Sequence, residues 1–180
     1  MIVLYEGGIF MDFNQVLFNR HSTRSFQEKK VEREKLERIL KAGYYAPNAM
    51  HENTWQFTLI TNENAMTSLA QVIQNALERE AYDFYGAPAI LLVSDKKTNP
   101  HYLANCAVAL ENIFLQACEE GLSSVWINQL KLICDEPDVR RELSALGLPE
   151  DHYVGGIAAI GYEKDTRKRA VKEATVKWVE

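Results

Sequence analysis

Two spacings of apolar residues alternate along the chain, one near 3.6 and one near 2, and the changes between them mark its elements. From about 12 to 19, Phe13, Val16 and Leu17 share one face and predict a short helix. A polar stretch, Arg20-His21-Ser22-Thr23-Arg24-Ser25, interrupts it. From 31 to 44, Val31, Leu36, Ile39, Leu40 and Gly43-Tyr44 recur at helical spacing, until Ala46-Pro47-Asn48 stops the helix, because the residue before a proline avoids the α region. Trp55, Phe57 and Leu59 alternate with polar residues and predict a half-buried strand. Asn62 is placed to cap a helix running to about 80, with Met66, Leu69, Ile73 and Leu77 inward. The continuous apolar run 88–93 predicts a central strand covered on both faces.

The longest predicted helix, 103–120, is apolar nearly all round and ends at Gly121 in the C′ position. Such a helix is buried in the core or between subunits. A strand follows over 122–127. Asp135-Glu136-Pro137 then opens a helix with an N-cap, an acidic first turn and an early proline, and Gly147 closes it. A glycine-containing strand spans 153–161, and the basic remainder has too few apolar residues to stand alone, so it should drape over something else. Helices and strands mix without strict βαβ alternation, which predicts an α+β fold with helices packed on a sheet.

Composition changes this picture little. A chain of 180 residues, 47% hydrophobic and 25% charged, suits one domain with an ordinary core, expected over 11–180. The first ten residues lack the basic start and cleavage site of a signal peptide. The codons for Glu6-Gly7-Gly8 can read as a purine-rich ribosome-binding sequence just ahead of Met11. Met11 is therefore the expected native start if the source is bacterial, with 1–10 an untranslated extension. No apolar run approaches the ~18 residues of a membrane span. Cys106, Cys118 and Cys134, odd in number and without CxxC spacing, predict free thiols in a reducing cytosol, and the scattered histidines predict no metal site. A net charge of −5 argues against nucleic acid as a partner.

Local charge is more informative. In an extended segment Arg20, Ser22 and Arg24 send their side chains to one side, where two planar guanidinium forks and a hydroxyl converge on a compact anion. Taken alone, the pentapeptide is equally a basic loop without a ligand. A second cationic cluster, Arg167-Lys168-Arg169, lies near the C-terminus. Neither GxGxxG nor GxxxxGK[ST] is present, so a nucleotide here would be held by other devices.

Four segments in order carry a resemblance. Arg20 through Phe26 reads R-x-S-x-R-x-F; 46–57 reads APNAMHENTWQF, close to A-P-S-x-x-N-x-Q-P-W-x-F; 121–127 reads GLSSVWI, close to G-L-G-S-x-W-I; and a basic segment follows Gly161-Tyr162. The chain resembles the nitroreductase family of flavoproteins over about 12–170. The resemblance implies a three-layer αβα sandwich with a mixed central sheet, a homodimer, and non-covalent FMN at the dimer interface. It implies that Arg20, His21 and Ser22 hold the phosphate and ribityl end, with Arg24 nearer the pyrimidine edge. Pro47, Asn48, Ala49 and His51 would come from the other subunit. Backbone around Ile127, Asn128 and Gln129 would face flavin N5, and Arg167 and Arg169 would complete the phosphate grip.

The implied activity is ping-pong hydride transfer from NAD(P)H through the flavin to a nitroaromatic, quinone, enone or free flavin, with no protein nucleophile. A non-catalytic FMN-binding or redox-sensing protein is the alternative. Departures fall around the ring: His51 where the family has Asn, Asn53-Thr54 for Gln-Pro, Ser123 for Gly, and Asn128-Gln129 for the usual Gly or Glu. Trp55, Phe57 and Trp126 are expected to pack, and Tyr82, Phe84 and Tyr85 to form a local hydrophobic cluster.

Overall fold

The structure, a computed structural model, describes residues 11–165 and 173–180. The expected extension 1–10 and the candidates Arg167 and Arg169 lie outside the described residues. Among the described residues six α-helices form: α1 (Phe13–Asn19), α2 (Arg33–Tyr44), α3 (Glu63–Ala76), α4 (Tyr102–Glu119), α5 (Leu130–Ile133) and α6 (Pro137–Ala145). Four strands, β1 (Gln56–Ile60), β2 (Ala89–Lys96), β3 (Ser123–Ile127) and β4 (His152–Gly161), make one sheet in the order β1-β2-β4-β3. Every neighbouring pair is antiparallel. The parallel component of the expected mixed sheet comes down to one isolated bridge, Ser22–Ser124.

Alternation along the two central strands divides the core. Ile90 and Leu92 of β2 join Val154, Ile157 and Ala159 of β4 under α3, α5 and α6. Leu91 and Val93 join Ala158 and Ile160 under α2 and α4. Both faces of β2 are therefore covered, which is why its sequence reads as an unbroken apolar run. Helices lie on both sides of the sheet, and the architecture is the expected three-layer α+β sandwich. None of the described helices is long and apolar enough to cross a membrane.

Close packing of α4 on the sheet depends on Gly155 and Gly156. A Cβ at Gly155 would lie 2.4 Å from the Cβ of Cys106, and one at Gly156 would lie 2.3 Å from Trp126 Nε1 and 2.7 Å from Leu110 Cδ1. The β2–β4 register shifts at this level, between Val93 and Ser94.

Several local expectations shift. On α1 only Val16 is buried, while Phe13 and Leu17 are exposed together with Phe18. The helix after Asn62 ends at Ala76, short of 80, where Glu78 turns to a positive φ of 50°. Asn62 caps it as expected, accepting from Ala65 N–H. Asp135 does not cap α6; its carboxylate pairs with Lys97 and Arg140, both at 2.7 Å, and Glu136 occupies the cap position without a side-chain bond. Helix α5 is one turn that no periodicity announces.

Candidate functional site

Helix α1 starts on a capping box, with Asp12 accepting from Asn14 and Gln15 N–H and Gln15 accepting from Asp12 N–H. It hands over to the cationic segment at Arg20, whose N–H closes the last turn on Val16 O at 2.9 Å. The chain then runs extended along the edge of β3, with Thr23 N–H donating to Ser124 O at 3.0 Å. Further on it pairs beyond the end of β4, where Gln27 N–H meets Tyr162 O and Lys164 N–H meets Ser25 O.

Extended backbone sends alternate side chains to opposite sides. Thr23 is buried and donates to Glu163 Oε1 at 3.0 Å; His21 Nε2 is 2.9 Å from the same oxygen, and its Nδ1 is 3.0 Å from Asn19 O. The His21 ring, expected beside Arg20 and Ser22, joins this network and lines the same cavity as Arg20. Ser22 and Arg24 are exposed. The Arg20 side chain is only 17% exposed, yet its ion pair to Glu111 of α4 is long at 3.8 Å, which leaves much of its donor capacity unused. A cavity of about 390 Å³ opens beside the segment, lined in part by Arg20, His21, Phe114, Cys118, Ser124 and Glu163.

The loop between α2 and β1 holds the second group. Pro47 and His51 are exposed and Met50 is 80% exposed. Met50, His51 and Asn53 all sit at positive φ (59°, 54° and 50°), a region that non-glycine residues seldom occupy. Asn48 and Asn53 clamp the loop across its base: Asn53 N–H donates to Asn48 Oδ1 at 3.3 Å, and Asn48 Nδ2 donates to Asn53 Oδ1 at 2.9 Å. Ala49 N–H donates to Asn105 Oδ1 of α4 at 2.9 Å.

Beneath the loop lies a residue that the pattern did not single out. Asp95, fully buried in β2, accepts from the Thr54 hydroxyl, from Asn99 Nδ2 at 3.1 Å, from Asn105 Nδ2 at 2.9 Å and from Lys96 N–H at 2.8 Å. Its place after an apolar run and before two lysines reads as a strand end. The available signal was the same-face register that puts Asp95 in line with Leu91 and Val93.

The third group lies past β3. The Ile127 side chain belongs to the core and Asn128 is exposed. Gln129 turns into a small cavity of about 80 Å³ that Tyr82, Phe84 and Tyr85 help to line. Gln129 Oε1 and the Tyr82 hydroxyl are both buried there with no hydrogen-bond partner among the described residues. Tyr82 and Phe84 stack edge to face at 5.1 Å, as expected of a packing cluster. Burial pushes the Tyr82 hydroxyl pKa well above its ordinary value. Trp55 and Phe57 likewise pack edge to face, whereas Trp126 covers Gly156 and stays partly exposed.

Helix α4 holds the first two groups apart. Helix α1, which leads into the cationic segment, is tied near the C-terminal end of α4, where Cys118 Sγ donates to Val16 O; Arg20 itself meets Glu111 midway along, and the loop is tied near the N-terminal end at Asn105. At 1.5 Å per residue Asn105 lies roughly 20 Å from Cys118 and roughly 9 Å from Glu111 along the axis. The outward face of α4 carries Ala104, Val108 and Glu111 exposed, with Ala107 and Leu115 half-buried, so a mostly apolar stripe is left uncovered.

Comparison with known proteins agrees with this architecture. A crystal structure of a nitroreductase with bound FMN from Bacteroides fragilis is 35% identical, with a TM-score of 0.89 covering 94% of this chain and all of that one. An FMN-dependent nitroreductase from Clostridium difficile R20291 is 28% identical with a TM-score of 0.75, over 88% of this chain and 91% of its own. A protein of Archaeoglobus fulgidus, provisionally named an NADH dehydrogenase/NAD(P)H nitroreductase, is 26% identical over 85% of this chain and 86% of its own. The family profile described as the nitroreductase family matches residues 17–162. This chain belongs to the nitroreductase family.

Proposed function

We propose that the protein is an FMN-dependent oxidoreductase that draws on NAD(P)H, reduces a small organic acceptor by a ping-pong cycle, and works as a homodimer. The observation that carries this reading is the largely covered but underused guanidinium of Arg20 beside a cavity of about 390 Å³, with Ser22 and Arg24 exposed on the same extended segment. That donor set suits a phosphate: guanidinium forks match two oxygens each, and a hydroxyl adds a third donor. When bound, FMN supplies the hydride chemistry at N5, while the protein orients and tunes it.

Each group of residues then has a task. Arg20 and Ser22 grip the phosphate end, and Arg24 offers a cation toward the pyrimidine edge. Arg167 and Arg169, beyond the described residues, are candidates to complete the grip. His21 serves through Glu163 and Thr23, stiffening the segment from behind. Backbone at Ile127, Asn128 and Gln129 faces the ring. Pro47, Asn48, Ala49 and His51 reach it from the second subunit, because their loop is anchored at the N-terminal end of α4, whereas Arg20 of the same chain meets Glu111 further along it. Two copies packed through the uncovered stripe of α4, with those helices antiparallel, bring the loop of one toward the cationic segment of the other. Acceptors in the class of nitroaromatics, quinones, enones or free flavin suit an open site that both substrates share in turn.

The test is anaerobic. Purified protein should retain FMN, and its flavin absorbance should bleach on addition of NADH or NADPH, then return with an acceptor. Flavin that is retained but unbleached by both donors rejects the reductase reading and favours a sensor. Arg20→Ala should weaken FMN binding by roughly 10- to 150-fold, the loss of one hydrogen bond to a charged group. Unchanged affinity by fluorescence titration removes Arg20 from the grip.

A further inference from the structure

The second cofactor-facing loop is shaped by a buried carboxylate that itself touches nothing outside the protein. Asp95 is fully buried in a central strand, on the register that Leu91 and Val93 share. An unpaired carboxylate at such a position is costly, and an apolar side chain would fit the surrounding core better on energetic grounds alone. The groups around it are Thr54, Asn99, Asn105 and the Lys96 amide, all donors and none of them a cation. Those donors come from the end of the α2–β1 loop, the last residue of β2, the β2–α4 connection and the first turn of α4.

Asn105 is the informative member. A carboxylate only accepts, so it takes the Asn105 NH2 group and leaves the amide oxygen facing the other way. That oxygen receives Ala49 N–H at 2.9 Å. Thr54, at the other end of the same loop, is tied directly to Asp95. Between these two fixed points stand Met50, His51 and Asn53, all at positive φ, a combination that persists only when its surroundings over-determine it.

We propose that Asp95 is a positioning residue for the cofactor site: by orienting Asn105 and holding Thr54, it fixes both ends of the segment Ala49–Thr54 and presents Met50 and His51 to the flavin of the other subunit. The second half of this statement rests on the proposed FMN site. The first half does not.

Two readouts keep those halves apart. Amide hydrogen exchange measures the loop without any cofactor, and FMN titration measures the site. In Asp95→Asn the replacement amide can no longer accept from every donor, so Ala49 N–H and its neighbours through Asn53 should exchange at least about tenfold faster, as expected for a lost hydrogen bond to a charged group. Amides of β2 and of α4 beyond its first turn should keep wild-type protection, and FMN affinity should fall by a similar factor. Thr54→Val, on a half-buried residue, should show the same local effect, and Thr54→Ser, which keeps the hydroxyl, should restore wild-type behaviour. Should Asp95→Asn fail to fold, the Thr54 pair decides. Arg20→Ala should weaken FMN binding and leave loop exchange untouched. Wild-type exchange over 49–53 in folded Asp95→Asn or in Thr54→Val overturns the proposal, as does loosening spread evenly across the domain. Faster loop exchange with unchanged FMN affinity overturns its link to the cofactor site. A wild-type protein that binds no FMN instead overturns the cofactor reading and leaves the exchange result to judge Asp95.

Discussion

Gly155 is a position in the sheet where one added methyl has nowhere to go. Its Cβ would sit 2.4 Å from Cys106 Cβ and 2.6 Å from Cys106 Sγ, between a central strand and α4. Overpacking of this kind costs about 1–3 kcal/mol, so Gly155→Ala should lower the thermal midpoint measurably. Adding Cys106→Ala should not restore it, because the nearest atom is the Cβ that alanine keeps; full recovery in the double variant contradicts this account of the contact. Burial and the neighbouring Asp95 charge push the Cys106 thiol up to about 12, so native protein should react at this position with thiol reagents only after unfolding. His152 makes the residue scale sensitive to pH. Its ring is buried against Ser94 Oγ at 3.1 Å, and burial lowers its pKa. The unfolded chain takes up a proton near 6.5 while the folded one resists it, so the folded state loses stability as pH falls through that value. Asp151 and Asp95 oppose the shift, and Lys96 and Arg140 reinforce it. Denaturant midpoints at pH 7.5 and 5.5 should therefore differ, and His152→Gln should shrink the difference.

At the scale of elements, what could be read from the sequence was whatever rests on periodicity and local chemistry. Gly121 ends α4 at φ +72° because glycine alone enters that region freely, and Asn62 caps α3 through its own side chain. Those signals lie within a few residues of their effect. Several departures instead depend on what folds around the residue. Asp135 sits where a cap belongs, but Lys97 and Arg140 compete for it with charge. Phe13 and Leu17 share an apolar face that the single chain leaves exposed. Asp95 reads as a strand end until Thr54, Asn99 and Asn105 are folded around it, and the side to which the His21 ring turns is fixed by Glu163, far along the chain. The cationic segment itself was legible because its alternation is local. Its entry angle depends on α1, which buries one large side chain and so relies on its capping box. Asp12→Ala should cost about 0.5–2 kcal/mol of local stability. Hydrogen exchange should show α1 fraying while α2 and α4 hold, and FMN affinity should decline modestly through Arg20; a fully protected α1 in the variant would mean that packing on α4, rather than the cap, holds it.

For the whole molecule the surface that tests the proposed dimer is α4, whose two faces differ in what covers them. One face packs on the sheet with Cys106, Ala109, Leu110, Ile113 and Ala117 fully buried. The other offers Ala104, Ala107, Val108 and Leu115, a stripe that a lone domain has no reason to leave in water when the rest of the helix is so apolar. A two-fold interface puts the same patch of each copy against its mate, so a charge introduced there meets its own image. Val108 is 39% exposed in the single chain, and Val108→Asp should therefore be tolerated by the fold. Sedimentation should show it as a monomer, with a secondary-structure spectrum like that of the wild type. Because the loop bearing Ala49 and His51 is tied to the N-terminal end of α4, whereas Arg20 meets Glu111 and α1 meets Cys118 further along it, separating the subunits of the proposed dimer should strip the site of that loop. The monomer should bind FMN at least tenfold more weakly even with Arg20, Ser22 and Arg24 intact. A monomeric variant with undiminished FMN affinity would place the entire site within one chain, and a variant that remains dimeric would move the interface off this face of α4.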